Sequence, residues 1–107
     1  MTLPVVVGPR ADAQIDQAFA WWAKHRSADQ ANQWLQGILA AIEGICENPA
    51  RYSKYSESQR FPFDVREMHF GLGRRVTHRV LFTVRPECIY VLMVLHLARD
   101  AVGPDDL

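Results

Sequence analysis

Between Arg60 and Arg85 the chain carries six arginines and no lysine, against only Asp64 and Glu67. Guanidinium groups are planar, permanently charged and able to grip a carboxylate or phosphate with two parallel hydrogen bonds. Arg74 and Arg75 fall at a predicted turn, where charged side chains also guard a sheet edge against aggregation. Arg66 and Arg79 fall inside predicted strands and are assigned to function or to a specific acidic partner. His96 stands at the exit of the apolar run YVLMVLH. An imidazole there could act as general acid or base near neutral pH; the alternative is a histidine that hydrogen-bonds backbone at a strand end. His69 and His78, each alone on a strand, read as structural or surface residues.

Other chemistries find little support. Asp, Glu, Cys and His do not cluster at ligand spacing, so no metal site is expected. There is no glycine-rich phosphate loop and no nucleophile elbow, and no cofactor is expected. Cys46 and Cys88 stand far apart without a CxxC motif and read as two reduced thiols. The formal net charge is zero, so the chain as a whole offers no field to a polyanion. MTLPVVVGPR is broken too early for a signal peptide, and no apolar run approaches a membrane span; a cytoplasmic location is the expectation.

The elements that must hold these residues follow from periodicity. A chain of 107 residues fits one domain with one core. Val5–Val7 is a short β-branched strand. Gly8-Pro9 opens a helix to about His25, with Ala11, Ile15, Ala18, Phe19 and Trp22 on one face. Ser27-Ala28-Asp29-Gln30 is a capping box for a second helix, which carries Ala31, Trp34, Leu35, Ile38, Ala41, Ile42 and Ile45 and is stopped by Asn48-Pro49. One of Trp21 and Trp22 must face outward, where it would suit a protein interface. Residues 49–64 show no period, and a connection of that length is often functional or mobile. Strands are predicted at Val65–Phe70, Arg75–Val84 and Ile89–Leu95, joined by short turns into an antiparallel meander. The order is β-α-α-β-β-β, an α+β fold with the helical hairpin on an antiparallel sheet. Its expected core is Ile15, Phe19, Leu35, Ile38, Ile42, Leu81, Val91 and Met93.

With Arg85–Cys88 as the turn, Val84 pairs with Ile89, Arg79 with Val94 and Thr77 with His96. Directly paired residues share a face, so this register puts Arg79 and His96 on one side, within reach of one phosphate-sized ligand. A slip of one residue would separate them.

The succession of a short strand, a helical hairpin closing on NP, then VREM, THRVLF and YVLMVLHLARD resembles the RelE/ParE superfamily, the toxins of type II toxin–antitoxin systems (the plasmid stabilisation protein family). The resemblance runs from Val5 to Asp100 and implies that fold over a single domain, residues 1–107. It implies a growth inhibitor neutralised by a cognate antitoxin. RelE-like members are metal-independent endoribonucleases that cut mRNA on the ribosome; ParE-like members inhibit DNA gyrase. Arg79 matches the arginine of the family's YRxxY-type strand, Arg66 lies on the strand where RelE-like enzymes carry lysines, and His96 falls both near a catalytic histidine of some ribosome-dependent relatives and where ParE-like members read His-x-x-Arg-Asp. Leu97 replaces the arginine that RelE places after its last core strand, and AVGPDDL holds no counterpart of RelE's late tyrosine. The expectation is therefore a ParE-like gyrase inhibitor. The alternatives are a RelE-like ribonuclease with Arg79, His96 and Arg66 in its site, or a non-toxic interaction protein on the same fold. Arg66, Arg74, Arg75, Arg79, Arg85 and His96 are the expected contacts for antitoxin or target, with acidic antitoxin side chains meeting the arginines.

Overall fold

A computed structural model describes residues 2–98 and 101–107; the Arg99-Asp100 pair of the motif above lies outside the described residues. The elements are β1 (Val5–Val7), α1 (Pro9–His25), α2 (Ala28–Glu43), β2 (Arg66–Phe70), β3 (His78–Val84) and β4 (Ile89–His96). No described helix is long and apolar enough to cross a membrane.

Local chemistry sets the element boundaries. Gly8 holds an extended backbone as the N-cap of α1, and Pro9 occupies the first helical turn. A Cβ on Gly8 would come within 2.5 Å of the Tyr90 hydroxyl, so a larger residue here would have to displace the Tyr90 side chain. Ser27 Oγ accepts the Gln30 N–H at 3.0 Å and starts α2. Ala31, Trp34, Ile38 and Ile42 recur at helical spacing and are all buried. They meet Ile15, Met68, Val80, Phe82, Ile89 and Val91 in one core between the helices and the sheet.

The sheet order is β1-β4-β3-β2. The meander β2-β3-β4 is antiparallel, as its short connections require. β1 instead runs parallel to β4, with Val5 opposite Ile89 and Val7 opposite Val91, so the four-stranded sheet is mixed.

Besides the parallel pairing of β1 and the half-buried positions of Phe19 and Leu35, two features depart from the sequence expectation. Leu81 and Met93 do not join the helix-side core. With Leu92, Leu95 and Val65 they form a second core on the opposite face of the sheet. The connection 49–64 closes that face: Tyr55 and Phe61 are buried in it, Ser58 Oγ accepts the Val65 N–H at 2.9 Å, and the Tyr55 hydroxyl accepts the Val102 N–H at 3.0 Å. The aperiodic stretch is therefore a packed layer. The second departure is a β-bulge. Leu81 pairs with Met93 but Phe82 pairs with Val91, which leaves Leu92 as the extra residue on β4.

Candidate functional site

The bulge decides which side chains meet. Up to Phe82 and Val91 the register is that of a tight hairpin, with Val84 opposite Ile89. Beyond it every partner is shifted by one, so Arg79 lies opposite Leu95 and His78 opposite His96. The expected pairs Arg79 with Val94 and Thr77 with His96 do not form. Since neighbours along a strand face opposite ways, Arg79 and His96 lie on opposite faces of the sheet. The expected convergence of Arg66, Arg79 and His96 on one anion does not occur.

Each candidate has its own surroundings. Arg79 sits on the face of the second core, its Nη1 3.6 Å from Glu67 Oε2, while Glu67 Oε1 is 3.0 Å from His69 Nε2. Arg66 lies on the helix side, where its guanidinium donates to the Tyr52 carbonyl at 2.6 Å and ties the start of the 49–64 connection to β2. Arg85 stacks on the Tyr90 ring at 4.1 Å in the hairpin turn. Arg74 and Arg75 are exposed in the loop between β2 and β3. The arginines are thus dispersed over both faces and both ends of the sheet. Arg66 and Arg79 are engaged within the fold by a hydrogen bond and an ion pair, Arg60 by an ion pair with Glu57, and Arg85 by its stacking on Tyr90.

What the shifted register does assemble is a histidine pair at the mouth of a cleft. The His78 and His96 rings lie 5.4 Å apart, edge to face. The cleft, of about 580 Å³, opens between the second half of α1 and the rim where β3 begins and β4 ends. Trp21, Trp22, Gln17 and Arg26 line it from the helix. Gln14 anchors that helix to the sheet: β1 is too short to cover all of β4, and Gln14 Oε1 accepts the Val94 N–H left over at 2.8 Å. Trp22 packs into the helix-side core, whereas Trp21 is 48% exposed and stacks on His25.

The two histidines differ in exposure and in role. His78 is buried against the Trp34 ring, 5.1 Å between centroids. Burial, and secondarily the charge of His96, lower its pKa to about 4, so His78 is neutral at physiological pH. His96 is exposed, and its Nδ1 accepts the Ala98 N–H at 3.1 Å. That bond places the proton of the neutral ring on Nε2, so His96 presents a donor outward. Arg26 adds a permanent cation. The described lining contains no Asp or Glu. The cleft therefore offers aromatic surface with hydrogen-bond donors and, among its described residues, no carboxylate to repel an anion. Among the described residues no cluster of three metal-ligating side chains exists.

Sequence reasoning singled out His96 and the tryptophan pair but missed Gln14, Gln17 and Arg26. It read His78 as an isolated residue. The bulge that brings His78 opposite His96 falls in an unbroken apolar run, where no alternation marks it.

Comparison with known proteins places this geometry. A family profile described as the ParE toxin of the type II toxin–antitoxin system parDE matches residues 5–101. A solved structure described as the chromosomal ParDE TA system from P. aeruginosa superposes with a TM-score of 0.73 at 18% identity, covering 89% of this chain and 96% of that one. No curated protein matches the sequence.

Proposed function

Because the chain belongs to the ParE toxin family and is a toxin of a type II toxin–antitoxin system, we propose that it arrests growth by binding DNA gyrase and performs no chemistry of its own. The observation that carries this reading is the separation of Arg79 from His96 across the sheet. A ribonuclease that activates a ribose 2′-hydroxyl needs its proton-transfer group and its phosphate-stabilising cation on the same scissile bond. Here the arginine is held beside Glu67 on one face, and the histidine opens into a cleft on the other.

The protein acts in the cytoplasm, where gyrase and the cognate antitoxin are made. Of the expected contact residues, Arg74, Arg75, Arg85 and His96 are exposed and serve recognition. Arg66 and Arg79 contribute chiefly by holding the surfaces that carry contacts.

The test is a pair of reactions with purified toxin: supercoiling of relaxed plasmid by gyrase, and cleavage of mRNA on programmed ribosomes. Inhibited supercoiling with intact mRNA is the expected result. Cleaved mRNA with unimpaired supercoiling would reverse the assignment and return Arg79, His96 and Arg66 to a RelE-like ribonuclease site.

A further inference from the structure

The lining of the cleft between α1 and the β3–β4 rim is only partly used by the fold, through Trp22 and Gln14, and by the gyrase reading, through His96. It holds two tryptophans, an arginine and a histidine pair, with no carboxylate among its described residues. Membership of a toxin–antitoxin family puts one protein partner on the page whatever the toxin's target.

We propose that this cleft is the socket for a carboxylate-bearing, otherwise apolar segment of the antitoxin, gripped by Arg26 and His96.

Charge decides between an acidic peptide and a nucleic acid. Arg26 is the only permanent cation in the described lining, and His78 is neutral at physiological pH. A phosphate backbone rewards several cations in a row. A single carboxylate flanked by apolar side chains suits one guanidinium, one imidazole donor and the exposed Trp21 ring better. The neutral peptide-like floor, with Gln14 spent on the Val94 N–H, adds no competing charge.

The groups facing the histidines are Arg26 and Gln17 from α1, Trp34 from α2, Thr77 before β3, and each other. None of these is an acid. Thr77 Oγ1 lies 2.8 Å from His78 Nδ1 and supplies a hydrogen bond but no charge. A carboxylate arriving here thus meets no described anion that would repel it.

The test uses the toxin and the protein encoded by the neighbouring reading frame, with binding measured by titration calorimetry. Arg26→Gln and His96→Gln should each weaken binding by roughly ten- to a hundredfold, the loss of one charge-assisted hydrogen bond. Gln17→Glu, which puts a carboxylate into the socket, should weaken binding, while Lys54→Gln in the 49–64 connection on the other face of the sheet should leave it unchanged. All four side chains are exposed, and circular dichroism confirms the fold of each variant. Unchanged affinity in Arg26→Gln and His96→Gln overturns the proposal. So does displacement of the antitoxin by a single-stranded oligonucleotide, or Arg26-dependent self-association of the toxin, either of which assigns the cleft another occupant. None of these outcomes depends on whether the toxin inhibits supercoiling, so the socket and the gyrase reading fail separately.

Discussion

Replacing Tyr55 by Phe isolates one interaction that seals the second face of the sheet. Tyr55 is 3% exposed and Val102 1% exposed. The hydroxyl of one accepts the N–H of the other at 3.0 Å. Tyr55→Phe keeps the ring among Leu81, Leu92, Met93 and Leu95 and removes a single oxygen. Buried apolar area hardly changes, so the cost is that of a buried N–H without an acceptor, about 1–3 kcal/mol. Against a total stability of about 5–15 kcal/mol for a domain, that is a measurable share. At about 4–8 °C per kcal/mol for a domain near this size, the melting temperature falls by no less than about 4 °C. Urea denaturation followed by tryptophan fluorescence gives the free energy, and hydrogen exchange at the Val102 amide locates the loss. An unchanged denaturant slope with a lower midpoint is expected. A loss below about 0.5 kcal/mol, well under the cost of an orphaned amide, with Val102 still protected, would show that the 49–64 layer and the 101–107 segment do not depend on each other.

Ile38 is fully buried in the helix-side core, and Ile38→Ala should cost about 2–5 kcal/mol in the same denaturation experiment. His78 has a native pKa near 4, below the 6.5 of a free imidazole, so the unfolded chain binds the extra proton; stability is complete above about pH 6.5 and declines as pH falls towards 4. Melting curves across that window should show the decline, and His78→Gln should flatten it. Growth arrest by Arg79→Ala, expressed without antitoxin at matched soluble levels, should weaken in step with lost stability, because Arg79 sits beside Glu67 rather than at a reacting centre; full loss of toxicity at wild-type stability would restore a direct role.

How much of this was legible in the sequence depended on periodicity. The helical hairpin announced itself through the three-and-four spacing of Ala31, Trp34, Ile38 and Ile42, the Ser27 cap and the Asn48-Pro49 stop. The β2-β3-β4 meander followed from apolar runs and turn residues. The register did not follow: every residue from Ile89 to Leu95 is apolar or aromatic. A strand buried on both faces shows no alternation. Nothing in IYVLMVL therefore distinguishes Leu92 as the bulged residue, and one unmarked residue sufficed to exchange Arg79 for His78 opposite His96. The second core was hidden for a related reason. Tyr55, Ser58 and Phe61 act through single anchors in irregular backbone, which no period can reveal. Likewise, three valines specify a strand but not the neighbour beside which it lies.

The parallel pairing of β1 with β4 has a kinetic side. Val5 meets Ile89 across roughly eighty residues of intervening chain, and the loop-closure entropy of such a contact is lost before any of its bonds form. The helices and the β2-β3-β4 meander are built from nearer neighbours and can organise first. During synthesis β1 emerges early but has no edge to join until β4 has cleared the ribosome. Gly8 and the start of α1, which rest on Tyr90, wait with it. The rim of the cleft is likewise completed only by His96, at the end of β4. A nascent toxin thus stays structurally incomplete until β4 has been made, and the sheet edge and the cleft rim come into being together.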